Sequence, residues 1–417
     1  MKFLFSINSI YSIYSIIFFL FIGCNSGNIK IGEAYKLGKV PDSILEVNQP
    51  DPFLNHLKID FPELPGHDDL IFDNKNQIAY ASGMDGWIWK LDFKTKSAEA
   101  WVKPPVNPAG LQFSNKSNES ILACASRLGG VNYDATNRVG LYEINIKTKS
   151  VVPLLLNLPN LEKSDFETVY PEAKRPTFSL RNLNESNSRT FSLCNDLAVS
   201  KDGNRIYISE PFERPNAAMG SGAVPEAIGL YPHGKLWMYD RKQNTVSLIM
   251  SGFTFVDGII IADHSSSKEE SVIITETTKF RIIKANISGK QEGTFEILFE
   301  NLPGLADGLE RDSLGRIWVG IIKPRSGLIN FVHNNPWLKP LLLSIPQRIL
   351  PIAKKTGILL LDPSGKKALY YSMHDGSKIK DISVAVPNLN FLYFPSFDTT
   401  SRGLYSIPTD SLKLGEK

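Results

Sequence analysis

The chain holds 417 residues with a formal net charge of +3, and 42% hydrophobic against 21% charged residues describes a folded body, not a disordered polar chain. No long basic run accompanies that small charge, so nucleic acid is not an expected partner. Three cysteines are too few for a disulfide framework and lack the spacing of a zinc site.

The chain opens on Met1-Lys2 and an apolar run ending Phe18-Phe19-Leu20-Phe21-Ile22-Gly23-Cys24, the layout of a secretory signal. Ile22-Gly23-Cys24 resembles a bacterial lipobox, with Phe21 where leucine is usual. That resemblance implies a signal peptide over 1–23, a lipidated Cys24 and a membrane-anchored lipoprotein in the periplasm, the outer membrane or at the cell surface. An uncleaved anchor helix and a plain signal with an incidental cysteine are the alternatives. Residues 24–50 begin Cys24-Asn25-Ser26-Gly27 and read as a tether, with the folded body over 51–417.

Short strands follow, rich in Val, Ile, Leu, Tyr and Trp and separated by turn formers. The first group covers 70–72, 77–82 and 87–92, and the second starts at Ala109-Gly110-Leu111 and continues through 121–125, 141–145 and 151–155. The third covers 195–199, 205–209, 236–240 and 246–250, with a hairpin signal at Ser200-Lys201-Asp202-Gly203-Asn204. The fourth covers 257–262, 272–276, 280–285 and 295–299; the fifth covers 307–311, 316–320, 357–362 and 367–372. The sixth has only 382–386, 392–394 and 404–407, so residues 53–59 are expected to supply its missing strand and close a ring. An all-β, six-bladed propeller is the predicted fold, as one monomeric unit.

Three stretches break this rhythm: 156–190, 211–233 and 324–352, the last with one or two short helices. Long loops on a rigid scaffold are where function concentrates, and they are expected to wall one mouth of the ring. Cys124 and Cys194 read as buried thiols, with a bridge between neighbouring blades as the alternative in an oxidising compartment.

One phrase recurs at the start of the strand groups: Asp68-Asp69-Leu70, Asn195-Asp196-Leu197, Asp257-Gly258-Ile259 and Asp307-Gly308-Leu309. In a propeller the first strand of each blade lines the axis, so Asp68, Asn195, Asp257 and Asp307 can meet there. Carboxylate and amide oxygens at one point suit a hard cation such as Ca2+. The competing reading is that such residues merely open strands and turns.

Several motifs carry a family resemblance. Asn195-Asp196-Leu197-Ala198-Val199, Ile206-Tyr207-Ile208-Ser209 and His233-Gly234-Lys235-Leu236 belong to it, as do Phe255-Val256-Asp257-Gly258 and Thr275-Glu276-Thr277-Thr278-Lys279-Phe280. Glu300-Asn301-Leu302-Pro303-Gly304, Asp307-Gly308 and Gly315-Arg316-Ile317-Trp318-Val319-Gly320 complete it. Over 195–320 the chain resembles strictosidine synthase-like proteins, whose wider group includes senescence marker protein (gluconolactonase) and the paraoxonases. The resemblance implies a six-bladed propeller and, in the hydrolytic members, axial calcium. It places metal ligands at Asp68, Asn195, Asp257 and Asp307, with Asp257 replacing an asparagine, and a catalytic general base at Asp307. Ala109 stands where paraoxonases have a histidine, and Pro387-Asn388-Leu389-Asn390 stands where the synthase has its glutamate. Proline cannot transfer a proton, which argues against amine–aldehyde condensation.

The expected function is a lipid-anchored, calcium-dependent hydrolase of a small lactone or ester. The alternatives are a non-catalytic binding module and a synthase-like enzyme lacking its glutamate. Glu276 and Arg281 read as a structural pair. His67 and His233 could approach the mouth; His56, His264, His333 and His374 read as surface or turn residues. Serine hydrolase, zinc protease and phosphate-loop motifs are absent.

Overall fold

The structure, a computed structural model, describes residues 34–414 except 116, 162–165, 215–216, 221–222, 263–268, 347–351 and 413. The signal segment, Cys24 and His264 therefore lie outside the described residues.

Six four-stranded antiparallel blades form the body. Blades 1 and 2 run from His67–Asp73 to Ser97–Val102 and from Asn107–Phe113 to Val151–Leu155. Blades 3 and 4 run from Leu197–Val199 to Thr245–Phe253 and from Val256–Ile261 to Phe295–Phe299. Blade 5 runs from Gly304–Arg311 to Ala368–His374. Blade 6 is assembled from both ends of the chain: Val386–Asn388, Phe391–Phe394 and Arg402–Pro408 are joined by Lys58–Pro65.

The closing strand starts later than the expected 53–59. Phe53–His56 is a short helix whose Phe53 ring packs on Phe394 at 4.9 Å between centroids, and Lys58 pairs with Ser406. The tether expected over 24–50 also ends early. Leu37, Val40, Ile44 and Val47 recur on one side of the segment and pack into the core between blades 4 and 5. Asn48 bridges to Tyr371. Polar composition just after Cys24 masked this apolar spacing.

The three insertions have a common placement. In an antiparallel blade, the links from second to third strand and from the outer strand to the next blade share one rim, the rim at which inner strands begin. All three insertions are links of these kinds. Helix Ala223–Gly229 of the 211–233 insertion meets helices Gly327–Asn334 and Lys339–Ser344 of blade 5, with Ile228, Val332 and Leu342 in one apolar cluster. His333 Nε2 lies 2.9 Å from the Ala227 carbonyl, and Lys339 Nζ donates to Gly229 O at 3.0 Å. The two insertions thus pack against each other. The 156–190 insertion partly does something else: Thr168–Val169 and Thr177–Ser179 pair with the outer strand of blade 3 and cover its free edge.

Cys124 and Cys194 form a disulfide between blades 2 and 3, with Cα atoms 5.0 Å apart. The buried-thiol reading is corrected: Cys124, in the second strand of blade 2, meets Cys194, the residue before Asn195, across the blade junction. The bond closes a loop with a sequence separation of 70. Replacing both cysteines by alanine is expected to cost about 2–4 kcal/mol, read as a lower denaturation midpoint that no longer responds to reductant.

His333 and His374 are also corrected, since both are fully buried. His374 Nδ1 lies 2.7 Å from Asp51 Oδ2, and its Nε2 accepts from Lys378 N at 3.0 Å. Each satisfies backbone or carboxylate groups in a joint between segments, which is a structural task.

Candidate functional site: an acidic cavity on the axis

The recurring phrase has a structural cause. In blades 1, 2, 4 and 5 the register between inner and second strand shifts at the phrase: between His67 and Leu70, Pro108 and Leu111, Val256 and Ile259, and Ala306 and Leu309. Each shift is a bulge, which breaks the ladder locally and re-aims side chains. In blades 1, 4 and 5 the first residue of the phrase, Asp68, Asp257 or Asp307, lines the axis beside its bulge.

The second residue of each phrase faces the next blade. Where it is glycine, the approach is too close for a side chain: a Cβ on Gly258 would lie 2.3 Å from Asp307 O, and one on Gly110 2.8 Å from Asn195 O. Where it is aspartate, the carboxylate reaches across. Asp69 Oδ2 accepts from Leu111 N at 2.7 Å, and Asp196 Oδ2 accepts from Ile259 N at 2.9 Å.

Hydrogen bonds consequently cross every junction around the axis. Blade 1 joins blade 2 through Asp69, and Gly110 N donates to Asn195 O at 2.8 Å. Asp196 joins blade 3 to blade 4, and Thr275 Oγ1 donates to Asp307 O at 2.8 Å between blades 4 and 5. Gly308 N donates to Ser383 O at 2.8 Å, and Ser383 Oγ donates to Asp68 O, which returns to blade 1.

All four residues singled out from the sequence line one axial cavity of about 40 Å³. Asp68, Asn195, Asp257 and Asp307 share it with Asp69, Asp196 and Glu310, while no Lys, Arg or His lines it. That volume suits an ion or one or two waters. The Asn195 amide donates to Asp257 Oδ1, and Thr277 Oγ1 lies 3.4 Å from Asp257 Oδ2. Asp257 and Asp307 are 4% and 7% exposed. Asp68 and Asp69 are half-buried.

Six carboxyl groups in so little space shift one another. Burial, then the charges of Asp257 and Asp69, push Asp68 up to about 8. Burial raises Asp69 to about 6 against the opposing N–H bonds from Leu111 and Leu70. Glu310 rises to about 8 through burial and the charge of Asp69. Asp307 lies well above the usual carboxylate range because of burial and then Asp257, and Asp196 because of burial and then Asp69. Asp257 is raised by burial, with hydrogen bonds from Asp307, Thr277 and Asn195 working the other way. A hydrogen bond between two carboxyl groups requires that Asp257 and Asp307 share a proton.

Among the described residues, no three His, Cys, Asp or Glu side chains are gathered as a ready-made metal cage. The carboxylates stand in electrostatic range of one another instead of closing on one point. The donor set fits a hard cation: it is all oxygen, flexible in number and without a competing positive side chain.

The other sequence candidates lie elsewhere. Ala109 is buried in an apolar cluster with Leu193, Phe212 and Phe255. His67 is buried, with Nδ1 3.0 Å from Pro65 O, and burial lowers it to about 4; it does not line the cavity. Arg281 Nε bonds Glu276 Oε2, and Thr254 N donates to Glu276 Oε1 at 2.6 Å, so this pair locks blade 4. His233 lines a second cavity between blades 2 and 3. Pro387 lies in the inner strand of blade 6.

A closed six-bladed propeller with an acidic axial cavity is the class that fold and site define. No family model matches the chain. It is 27% identical over 340 residues to the adipocyte plasma membrane-associated protein of Salmo salar, covering 78% of this chain and 72% of that one. The match to the Gallus gallus protein of the same name covers 50% of each chain. It is also 26% identical over 165 residues to protein strictosidine synthase-like 10 of Arabidopsis thaliana, covering 39% and 42%. A solved structure described as a gluconolactonase superposes with a TM-score of 0.52 at 13% identity, over 89% of this chain and 97% of that one. These likenesses are consistent with the resemblance to strictosidine synthase-like, senescence marker protein and paraoxonase propellers read from the sequence, and the superposition shows the propeller fold.

Proposed function

We propose that the protein is a calcium-dependent hydrolase of a small lactone or ester, exported and held at a membrane by a lipid on Cys24. The observation that carries the reading is the cavity of six carboxyl groups with no basic side chain. Asp68, Asn195, Asp257 and Asp307 hold the cation through side-chain oxygens. Calcium bound there supplies a Lewis acid toward the substrate carbonyl. Asp307 takes the proton of the attacking water as oxygen adds to that carbonyl carbon. When the ring or ester C–O bond breaks, the same proton passes from Asp307 to the leaving oxygen.

The disulfide supports an oxidising compartment, and hence export. The name of the Salmo salar relative supports membrane association. Among the described residues no helix is long and apolar enough to cross a membrane.

A panel of lactones and aryl esters, assayed with and without chelator, tests the proposal. Turnover should disappear on chelation and return with calcium. Asp307→Asn should lower kcat by about 10²–10⁴-fold, the worth of a positioned general base. Turnover that survives chelation contradicts the metal role. Calcium binding without turnover of any substrate favours the binding module, the reading that Ala109 in place of a histidine supports.

A further inference from the structure

On the same rim as the axial cavity lies a second cavity of about 510 Å³, between blades 2 and 3. Its charge is the opposite. Arg127, Arg138, Arg189, Arg214 and Lys235 line it, against the single carboxylate of Glu213. These cations come from separate links: 127 and 138 from the loop between the second and third strands of blade 2, 189 from the insertion before blade 3, and 214 and 235 from the blade 3 insertion and the strand after it.

Three of the five are neutralised by carboxylates. Arg189 grips Glu210 with both terminal nitrogens at 2.7 and 2.8 Å, Lys235 Nζ lies 2.8 Å from Glu213, and Arg214 Nε lies 2.6 Å from Glu226. With three carboxylates for five cations, two charges remain over. Among the described residues no ion pair joins Arg127 or Arg138 to an acid. Arg138 donates one terminal N–H to Asn157 Oδ1, while its Nε is buried with no hydrogen-bond partner. A buried guanidinium N–H without an acceptor is costly, and an oxyanion is the group that relieves it.

The walls between the arginines are apolar, made by Val139, Phe191, Ala217 and Pro232. Size and mixed lining match a cleft for a small organic molecule. We infer that this cavity is an anion-binding site that takes a small organic molecule through its carboxylate or phosphate oxygens. Arg127 and Arg138 bind the oxyanion, and Phe191 with Val139 covers the organic body. Ser192, on its wall, is three residues from Asn195, so those two Cα atoms are at most about 11 Å apart. A ligand seated here stands beside the mouth of the axial cavity.

Calorimetric titration of the full chain with benzoate, phenyl phosphate and the neutral benzyl alcohol tests the inference. At least one of the two anions should bind saturably at one per chain, and the alcohol should not; which anion binds distinguishes a carboxylate from a phosphate ligand. Binding should weaken about tenfold or more in Arg127→Gln/Arg138→Gln, since a charged pair of donors is lost. It should also fall with added salt. Failure of both anions to bind up to millimolar concentration overturns the inference. So does binding of wild-type strength in the double variant. Should that variant not fold, Arg127→Gln alone is read against the same two outcomes. The readout is binding, so it stands or falls independently of turnover at the axis.

Discussion

Calcium is expected to raise the melting temperature of the purified protein, and to raise it more at about pH 8 than at about pH 5. The cause is the axial acid cluster. Asp68 and Glu310 titrate at about 8 and Asp69 at about 6 in the folded, cation-free protein. The same groups titrate near 4 in the unfolded chain. Between those values the folded state holds protons that the unfolded state has released, so the slope of stability against pH is negative. Stability that is present below about pH 4 is lost as pH rises through about 6 and then about 8. A cation bound among the carboxylates replaces the protons and removes that loss. At the lower pH it must displace protons to bind, so its gain shrinks. With free calcium about 1,000-fold above its dissociation constant, linkage gives about 4 kcal/mol. Melting curves at the two pH values, with chelator and with calcium, read this directly. A shift of equal size at both, or none, would sink the cation reading even if the protein proved to be an esterase.

The ring and its axis were legible because the signals are local and periodic. Four of the six inner strands open with the same phrase, and short apolar runs such as 272–276 and 357–361 mark buried sheet, which both strands are. Asp68, Asn195, Asp257 and Asp307 could be singled out because the fold's symmetry converts equivalent positions into neighbours. Asp69 and Asp196 were missed as structural members although a clue was present: the phrase carries aspartate second in blades 1 and 3 and glycine second in blades 2, 4 and 5. That difference separates a side chain spanning a junction from backbones touching across it. Glu310 carried no such mark; it joins the cavity because the strand after the bulge keeps facing the axis. The basic cavity was illegible for a different reason. Its arginines sit on links 127–138, 189–192 and 213–235, which have no period, and only the fold of the loops brings them together. The burial of His333 likewise depends on two insertions meeting, a contact no local pattern encodes.

Asp196→Ala is expected to destabilise the protein by about 4 kcal/mol, although it removes a charge from a crowded acidic cavity. Two effects oppose each other. Loss of the carboxylate relieves repulsion with Asp69 and Asp257, the charges that help to raise Asp196. It also strands two backbone donors, because Asp196 Oδ1 accepts from Leu197 N at 2.8 Å and Oδ2 from Ile259 N at 2.9 Å. Leu197 and Ile259 are 2% exposed, so water does not replace the lost acceptor at either one. Each unsatisfied buried N–H costs about 1–3 kcal/mol, and the second bond is also the tie between blades 3 and 4. The bonds outweigh the repulsion because a proton or cation can cancel the charge, whereas nothing else reaches those two N–H groups. Asp196→Asn separates the two effects. It keeps one acceptor oxygen and discards the charge, so it should cost about half as much and flatten the fall of stability with pH. In hydrogen exchange, the Leu197 and Ile259 amides should lose protection in the alanine variant, and one of them should keep it in the asparagine variant. An alanine variant as stable as the wild type would mean that repulsion balances both bonds, and that ring closure at this junction depends on the sheet cores instead.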